Sequence, residues 1–244
     1  MSSSTAGKPP AKPRLVYAQP GDAVEPGKPV TVSRYGAATR LNHWITAGSL
    51  ILLAVSGLAL FTPSLFFLTA LFGGGQNTRA LHPWIGVLLF VSFFVLFLQL
   101  WRANLPEKVD AIWLSRIKDV VGGHEEKLPE LGKYNAGQKF IFWGMAALIL
   151  LLIATGLMIW EQYFADYLGI PLRRVAVLAH SIAAVLIICI FILHVYAAIW
   201  TRGTLRAMTR GTVTGGWAWR HHRKWLRELA GLRRAETRKT GPAE

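Results

Sequence analysis

Apolar residues fill long unbroken stretches of the chain, and the charged residues fall between them. No Asp, Glu, Lys or Arg occurs in residues 41–78, 80–101, 140–160 or 175–201. A helix needs about 20 apolar residues to cross the hydrocarbon core of a bilayer. Lipid offers no partner to backbone N–H and C=O groups, so such stretches must satisfy their own as helices. The last three, of 22, 21 and 27 residues, predict one crossing each. The first, of 38 residues, is too long for one crossing and too short for two. Pro63 breaks it, which predicts a span over 41–61 and an interfacial loop over 63–78 with Gly73-Gly74-Gly75 as a flexible turn. The pattern is that of an all-α integral membrane protein, a four-transmembrane-helix bundle with spans of about 41–61, 83–101, 140–160 and 175–201.

The flanking segments differ from the spans. Residues 1–40 contain Ser2-Ser3-Ser4 and five prolines by Pro26 but no apolar h-region, which predicts a partly disordered N-terminal arm and no signal peptide. Between the second and third spans, Ile112, Trp113, Ile117, Val120 and Val121 recur with a helical period among Arg116, Lys118 and Asp119. That predicts a short amphipathic helix on the membrane surface. A second one is expected through Trp217–Leu232, within the basic tail 202–244.

Charge adds orientation. Lys and Arg outnumber Asp and Glu by 27 to 13, for a formal net charge of +14. Six of these basic residues lie in 1–40, seven in 102–139 and eleven in 202–244, against one in 62–79 and two in 161–174. Basic loops stay inside, so both termini and the 102–139 loop are expected in the cytoplasm of a bacterial inner-membrane protein. The basic excess is then a cytoplasmic collar rather than a nucleic-acid footprint. Lys133 and Lys139 are read as interface anchors and His221-His222 as a solvated basic surface. The single cysteine, Cys189, excludes an internal disulfide and any iron–sulfur or Cys-based zinc site built by this chain alone; it reads as a packing residue.

Four histidines, His43, His82, His180 and His194, lie in or at the ends of the apolar runs. Ionisable residues at membrane depth are functional suspects. Topology pairs His43 with His194 at the inner level and His82 with His180 at the outer level. Fourteen residues separate His180 from His194, which is about 21 Å of helix and about 40° short of four full turns. One helix thus offers two imidazoles on nearly one face. Facing imidazoles at two depths suit two haem b groups, each with iron held on both sides and no open position, which favours electron transfer over oxygen chemistry. A c-type haem is excluded, since no Cys-x-x-Cys-His occurs. Gly48, Ser49, Gly57, Gly86, Ser181, Ala183 and Ala184 leave room for a flat macrocycle or simply let helices pack closely.

The chain resembles the membrane gamma subunit (cytochrome b556) of respiratory formate dehydrogenases from about Arg40 to Leu229. The carriers are Arg40-Leu-Asn-His43-Trp44, Leu81-His82-Pro83, the run Gly132-Lys-Tyr-Asn-Ala-Gly-Gln-Lys139, Phe142-Trp143, Thr155-Gly156, His180, Ile192-Leu-His194-Val-Tyr196, and Trp217 through His221-His222. The resemblance implies a four-helix di-haem b bundle with His43 and His194 on the cytoplasmic-side haem and His82 and His180 on the outer one. It implies a quinone site near His194 and the segment with Asn135, Gly137 and Gln138. It also implies two partners, an iron–sulfur beta subunit and a molybdenum or tungsten catalytic alpha subunit on the outer face. Asn135 and Gln138 carry amide donors that suit a quinone oxygen, and Asn135 is equally a good helix N-cap. Arg79, near His82, suits a haem propionate or a snorkelling role. The longer Pro-rich arm, from Met1 to about Pro29, departs from the family pattern.

Three functions compete on these residues. The first is the quinone-reducing electron-transfer subunit of a formate dehydrogenase, with formate oxidised on a partner. The second keeps the cytochrome but serves a hydrogenase or thiosulfate reductase, or stands alone as a b561-type oxidoreductase. The third is a haem-free membrane anchor or metal carrier; a divalent-metal site would favour carboxylates beside the histidines, and the four spans hold none.

Overall fold

The computed structural model describes residues 21–25 and 30–240. The expectation of disorder in the arm falls mostly on residues 1–20 and 26–29, outside the described residues. Four helices are long and apolar enough to cross a membrane: α1 (Ala37–Phe61), α2 (Gly75–Leu100), α5 (Ala136–Ile159) and α6 (Ile170–Trp200). Each begins several residues before its charge-free run. A run without charges measures what lipid tolerates, whereas a helix continues to the residue that caps it. Thus α5 starts at Asn135, whose side chain accepts from Gln138 N while Gln138 returns a bond to Asn135 N, a reciprocal cap. The expected 63–78 loop is shorter and more regular than predicted: Pro63–Phe72 forms a 3-10 helix. Gly73 and Gly74, at φ +83° and +99°, turn the chain into α2, a region that favours glycine. Pro83 lies inside α2 without ending it.

The spans pair as two hairpins, α1 with α2 and α5 with α6, joined chiefly through α2 and α5. Halfway along the bundle, Leu50, Leu89, Phe93, Ile149 and Ile187 form a buried apolar cluster. Outward-facing Leu88, Phe94, Leu150, Val185 and Ile192 are exposed, as expected of side chains that meet lipid. Cys189 is exposed on α6. It points toward lipid rather than packing in the bundle.

At one end the bundle carries a polar cap. The strands β1 (Ala23–Glu25), β2 (Thr31–Ser33) and β3 (Thr212–Thr214) form an antiparallel sheet in the order β1-β2-β3. The short helices α7 (Thr204–Arg210), α8 (Gly215–His221) and α9 (Arg223–Thr240) follow α6, and Val32, Val213, Trp217, Trp225 and Leu229 pack between sheet and helices. Gly211, at φ +80°, lets its carbonyl accept from the N–H of Arg34 and Tyr35; a Cβ there would lie 2.6 Å from the Tyr35 carbonyl oxygen. The amphipathic helix expected over 112–121 is two pieces, α3 (Lys108–Ser115) and α4 (Ile117–Val121), broken at Arg116. The one expected over 217–232 is broken at His222 between α8 and α9.

Three surface readings are corrected by this cap. Lys133 is fully buried, with Nζ 2.7 and 2.8 Å from the Asp22 carboxylate oxygens. Lys139 is also buried, at 2.8 Å from Asp110 Oδ2 and 3.5 Å from Glu107 Oε1, and so clamps α3 to α5 instead of reaching the headgroups. His222 is buried, and its Nδ1–H donates to Gly132 O at 2.7 Å. In each case a partner distant in sequence supplies what the solvent would have supplied.

Candidate functional site

The four membrane-depth histidines form two facing pairs, at opposite ends of the bundle. His43, in the first turns of α1, faces His194, in the last turns of α6, at the capped end; their ring centroids are 6.4 Å apart. His82, early in α2, faces His180, early in α6, at the opposite end, also at 6.4 Å. Each pair therefore bridges the two hairpins. A metal–imidazole bond is about 2 Å and a ring nitrogen lies roughly 1 Å from its centroid, so two imidazoles on opposite faces of one iron stand about 6 Å apart. Both pairs have that spacing.

The hydrogen bonds at the His82/His180 pair set which ring nitrogen faces inward. Ser56 Oγ lies 2.8 Å from Leu52 O and 3.3 Å from Leu53 O. Carbonyls only accept, so the hydroxyl hydrogen has a place there. His82 Nδ1 lies 2.7 Å from the same oxygen. With Nε2 given to a metal, the ring proton sits on Nδ1 and is donated to the hydroxyl oxygen. Thr155 repeats the arrangement for His180: its Oγ1 lies 2.7 Å from Leu151 O and 2.9 Å from His180 Nδ1. Each hydroxyl is followed by a glycine whose Cβ, if present, would lie 3.4 Å from the same histidine's Cε1, Gly57 against His82 and Gly156 against His180. The clasp of hydroxyl and glycine thus occurs once in each hairpin. At the capped end, by contrast, His43 Nδ1 is buried with no hydrogen-bond partner.

There is also space beside the rings. A Cβ built on Gly86 would meet no atom within 4 Å, and Gly86 lies one turn from His82 on the same face of α2. Among the described residues no group of three or more His, Cys, Asp or Glu side chains could hold a bare metal ion. Imidazoles in facing pairs at this spacing, one pair held through Nδ1 by hydroxyls and flanked by glycine, fit haem b.

The Gly132–Lys139 run divides between cap and helix start. Gly132 accepts from His222, Lys133 pairs with Asp22, and the Tyr35 hydroxyl donates to the Tyr134 hydroxyl at 2.9 Å. A Cβ on Gly137 would lie 3.2 Å from the Trp113 ring, so glycine there lets α3 seat. The oxygens of Asn135 and Gln138 are committed to the reciprocal cap. Their amide N–H groups make no bond among the described residues, and both side chains are half-buried at the capped end. Arg34 sits at the centre of the cap. It donates to Lys133 O and lies 4.8 to 5.8 Å from the rings of Trp225, Trp217, Tyr134 and Tyr35. Burial, then the Arg34 charge, hold His222 well below the ordinary histidine range; burial pushes Lys133 down to about 8 against the opposing pull of Asp22.

Sequence reasoning named the four histidines and paired them as the structure does. It missed Ser56, and it noted Thr155 only as a point of family likeness. Their signal was a hydroxyl directly before a glycine inside an otherwise apolar span. It missed Arg34 and Asp22 altogether, because their partners lie about a hundred residues away.

Residues 34–211 match the sequence profile of prokaryotic cytochrome b561. The chain is similar to the formate dehydrogenase cytochrome b556(fdo) subunit of Escherichia coli K12, at 43% identity over 199 residues, 82% of this chain and 93% of that protein. The nitrate-inducible formate dehydrogenase cytochrome b556(Fdn) subunit of the same organism is 39% identical over 190 residues, 78% of this chain and 88% of that protein. The formate dehydrogenase cytochrome b556 subunit of Haemophilus influenzae is 36% identical over 205 residues, 84% and 86% of the two chains. On that coverage, and with four membrane spans framing histidine pairs at haem spacing, the chain belongs to the prokaryotic cytochrome b561 family, as a multi-pass haem b protein of the bacterial inner membrane.

Proposed function

We propose that this chain is the membrane cytochrome b subunit of a formate dehydrogenase complex, and that it carries electrons from an iron–sulfur beta subunit to quinone. A molybdenum or tungsten alpha subunit on the outer face oxidises formate. The observation that carries the electron path is the stack of two histidine pairs, each at 6.4 Å; relatives at 36–43% identity point to the partner. Bound haem supplies one-electron iron chemistry with no open coordination position. His82 and His180 hold the group nearer the outer face and His43 and His194 the one nearer the cytoplasm. Between them, Leu50, Leu89, Phe93, Ile149 and Ile187 exclude water from the middle of the bundle. At the capped end, the free amide N–H groups of Asn135 and Gln138 donate to a quinone oxygen, with Gly137 in the same turn and His194 at the same end of the bundle. Water at that interface supplies the protons. Formate oxidation outside and proton uptake inside then contribute to a proton motive force.

The test uses the complex purified from membranes. Two b-type haems per chain are expected, both reduced by formate. His82→Ala and His180→Ala should each remove one haem and stop formate from reducing the other, which quinol still reduces. One haem per chain, or formate reduction of the remaining haem at the wild-type rate, overturns the two-haem relay. Asn135→Asp separates the two roles of that residue. The carboxylate still caps α5, next to a helix N-terminus that favours it, but the amide donor is gone. Quinone reduction should fall roughly 2- to 13-fold, the value of one neutral hydrogen bond, with both haems retained. Unchanged turnover moves the quinone site elsewhere.

A further inference from the structure

The two histidine pairs are not held alike. His82 and His180 each donate Nδ1–H to a hydroxyl, Ser56 at 2.7 Å and Thr155 at 2.9 Å, and both hydroxyls are buried in the bundle. Each hydroxyl donates its own hydrogen bond to a carbonyl one turn back, Leu52 or Leu151, which leaves its lone pair to accept from the ring. His43, at the other level, has a buried Nδ1 with no partner. A ring that donates from Nδ1 puts more electron density on Nε2 and becomes a more basic ligand. A more basic ligand stabilises the oxidised, more positive iron over the reduced one. Hydrogen bonding around the ligands is one of the levers that set haem potential.

We propose that Ser56 and Thr155 are positioning residues that hold the potential at the His82/His180 level below that at the His43/His194 level. This rests on the two-haem reading above. One electron enters at the His82/His180 level from the iron–sulfur partner, and one leaves it for the His43/His194 level on the way to quinone. The Nδ1 protons stay in place throughout, so no proton crosses the bundle with the electron. The difference in potential gives the electron a downhill direction toward the capped end, set by two hydroxyls rather than by the ligands themselves.

The test is an optical redox titration of each haem in the purified complex, with the haem that His82→Ala removes taken as the outer one. Ser56→Ala and Thr155→Val each delete one hydroxyl. Each should raise the outer potential by roughly a three- to tenfold change in its reduction equilibrium, tenfold being about 59 mV for one electron. The inner potential should not move. Ser56→Thr and Thr155→Ser keep the hydroxyl and should keep the wild-type potential. Two haems whose outer potential is unmoved by both deletions overturn the proposal and leave the two-haem reading standing. A wild-type complex with one haem per chain overturns both. If a deletion sheds the outer haem, the hydroxyl-keeping swaps decide: a wild-type potential in them supports the proposal, and a shifted one overturns it.

Discussion

At the scale of single residues, the most consequential side chains outside the spans are those that exchanged solvent for a buried partner. His222 is the clearest. Buried beside Arg34, with Lys133 and His221 also near, it is held well below its ordinary value of 6.5, and its bond to Gly132 offsets this only in part. In the undocked cap it titrates near that ordinary value. Below it the undocked form takes up a proton that the docked form refuses. Cap stability is therefore full above about pH 6.5 and falls as the pH drops, by up to about 1.4 kcal/mol per pH unit. Tryptic cleavage between Arg220 and Arg227 should be about tenfold faster at pH 5.5 than at pH 7.5. The excess should be absent from His222→Gln, and this difference isolates the one group from others that titrate nearby. Equal acid sensitivity in the two proteins would assign the effect to another residue. Lys133, shifted to about 8, stays mostly charged across this window and adds only a small slope at its upper end, which the His222→Gln comparison cancels.

At the scale of elements, the start of α5 does three jobs within a few residues. Asn135 and Gln138 cap it, Gly137 makes room for Trp113, and Lys139 ties it to α3 through Asp110 and Glu107. The Lys139 and Asp110 side chains are 6% and 11% exposed, so removing one leaves the other charged and nearly dry. Lys139→Met should loosen α3 at a cost of about 3 kcal/mol, the lower end for breaking a buried pair. Hydrogen exchange over residues 108–121 reads this as faster opening of that segment alone. The double variant Lys139→Met with Asp110→Leu should recover most of the loss, because neither charge is then stranded. A single variant with unchanged exchange would show the pair to be solvated in the membrane.

At the scale of the whole molecule, the sheet that joins residues 23–25 and 31–33 to 212–214 places the described chain on either side of the spans at one end of the bundle. Together with the 24-to-3 distribution of Lys and Arg, this predicts that the cap faces the cytoplasm. The lone Cys189 lies on the lipid-facing side of α6 and should resist a membrane-impermeant thiol reagent. On that background, Tyr167→Cys, at a position 86% exposed, should label in intact spheroplasts. Val121→Cys, 70% exposed near the cap, should label only after the membrane is opened. The reverse pattern would invert the bundle and with it the proposed direction of electron flow.

How much of this was legible in the chain follows from which forces act locally. Lipid leaves a membrane segment no choice but helix, and a helix has a fixed rise, so sequence alone determined four spans, the pairing of His43 with His194 and His82 with His180, and the two depths. The cap at Asn135 was readable for the same reason, since its partner, Gln138, is three residues away. Tertiary structure alone decided the fate of the polar residues. Lys133 and Asp22 are 111 residues apart, and His222 and Gly132 are 90 apart. No local pattern tells a buried ion pair from two solvated charges. It also decided that Ser56 and Thr155 face the histidines, because the rotation of each helix about its own axis is set by packing against its neighbours, and these apolar-all-round spans carry almost no preferred face of their own.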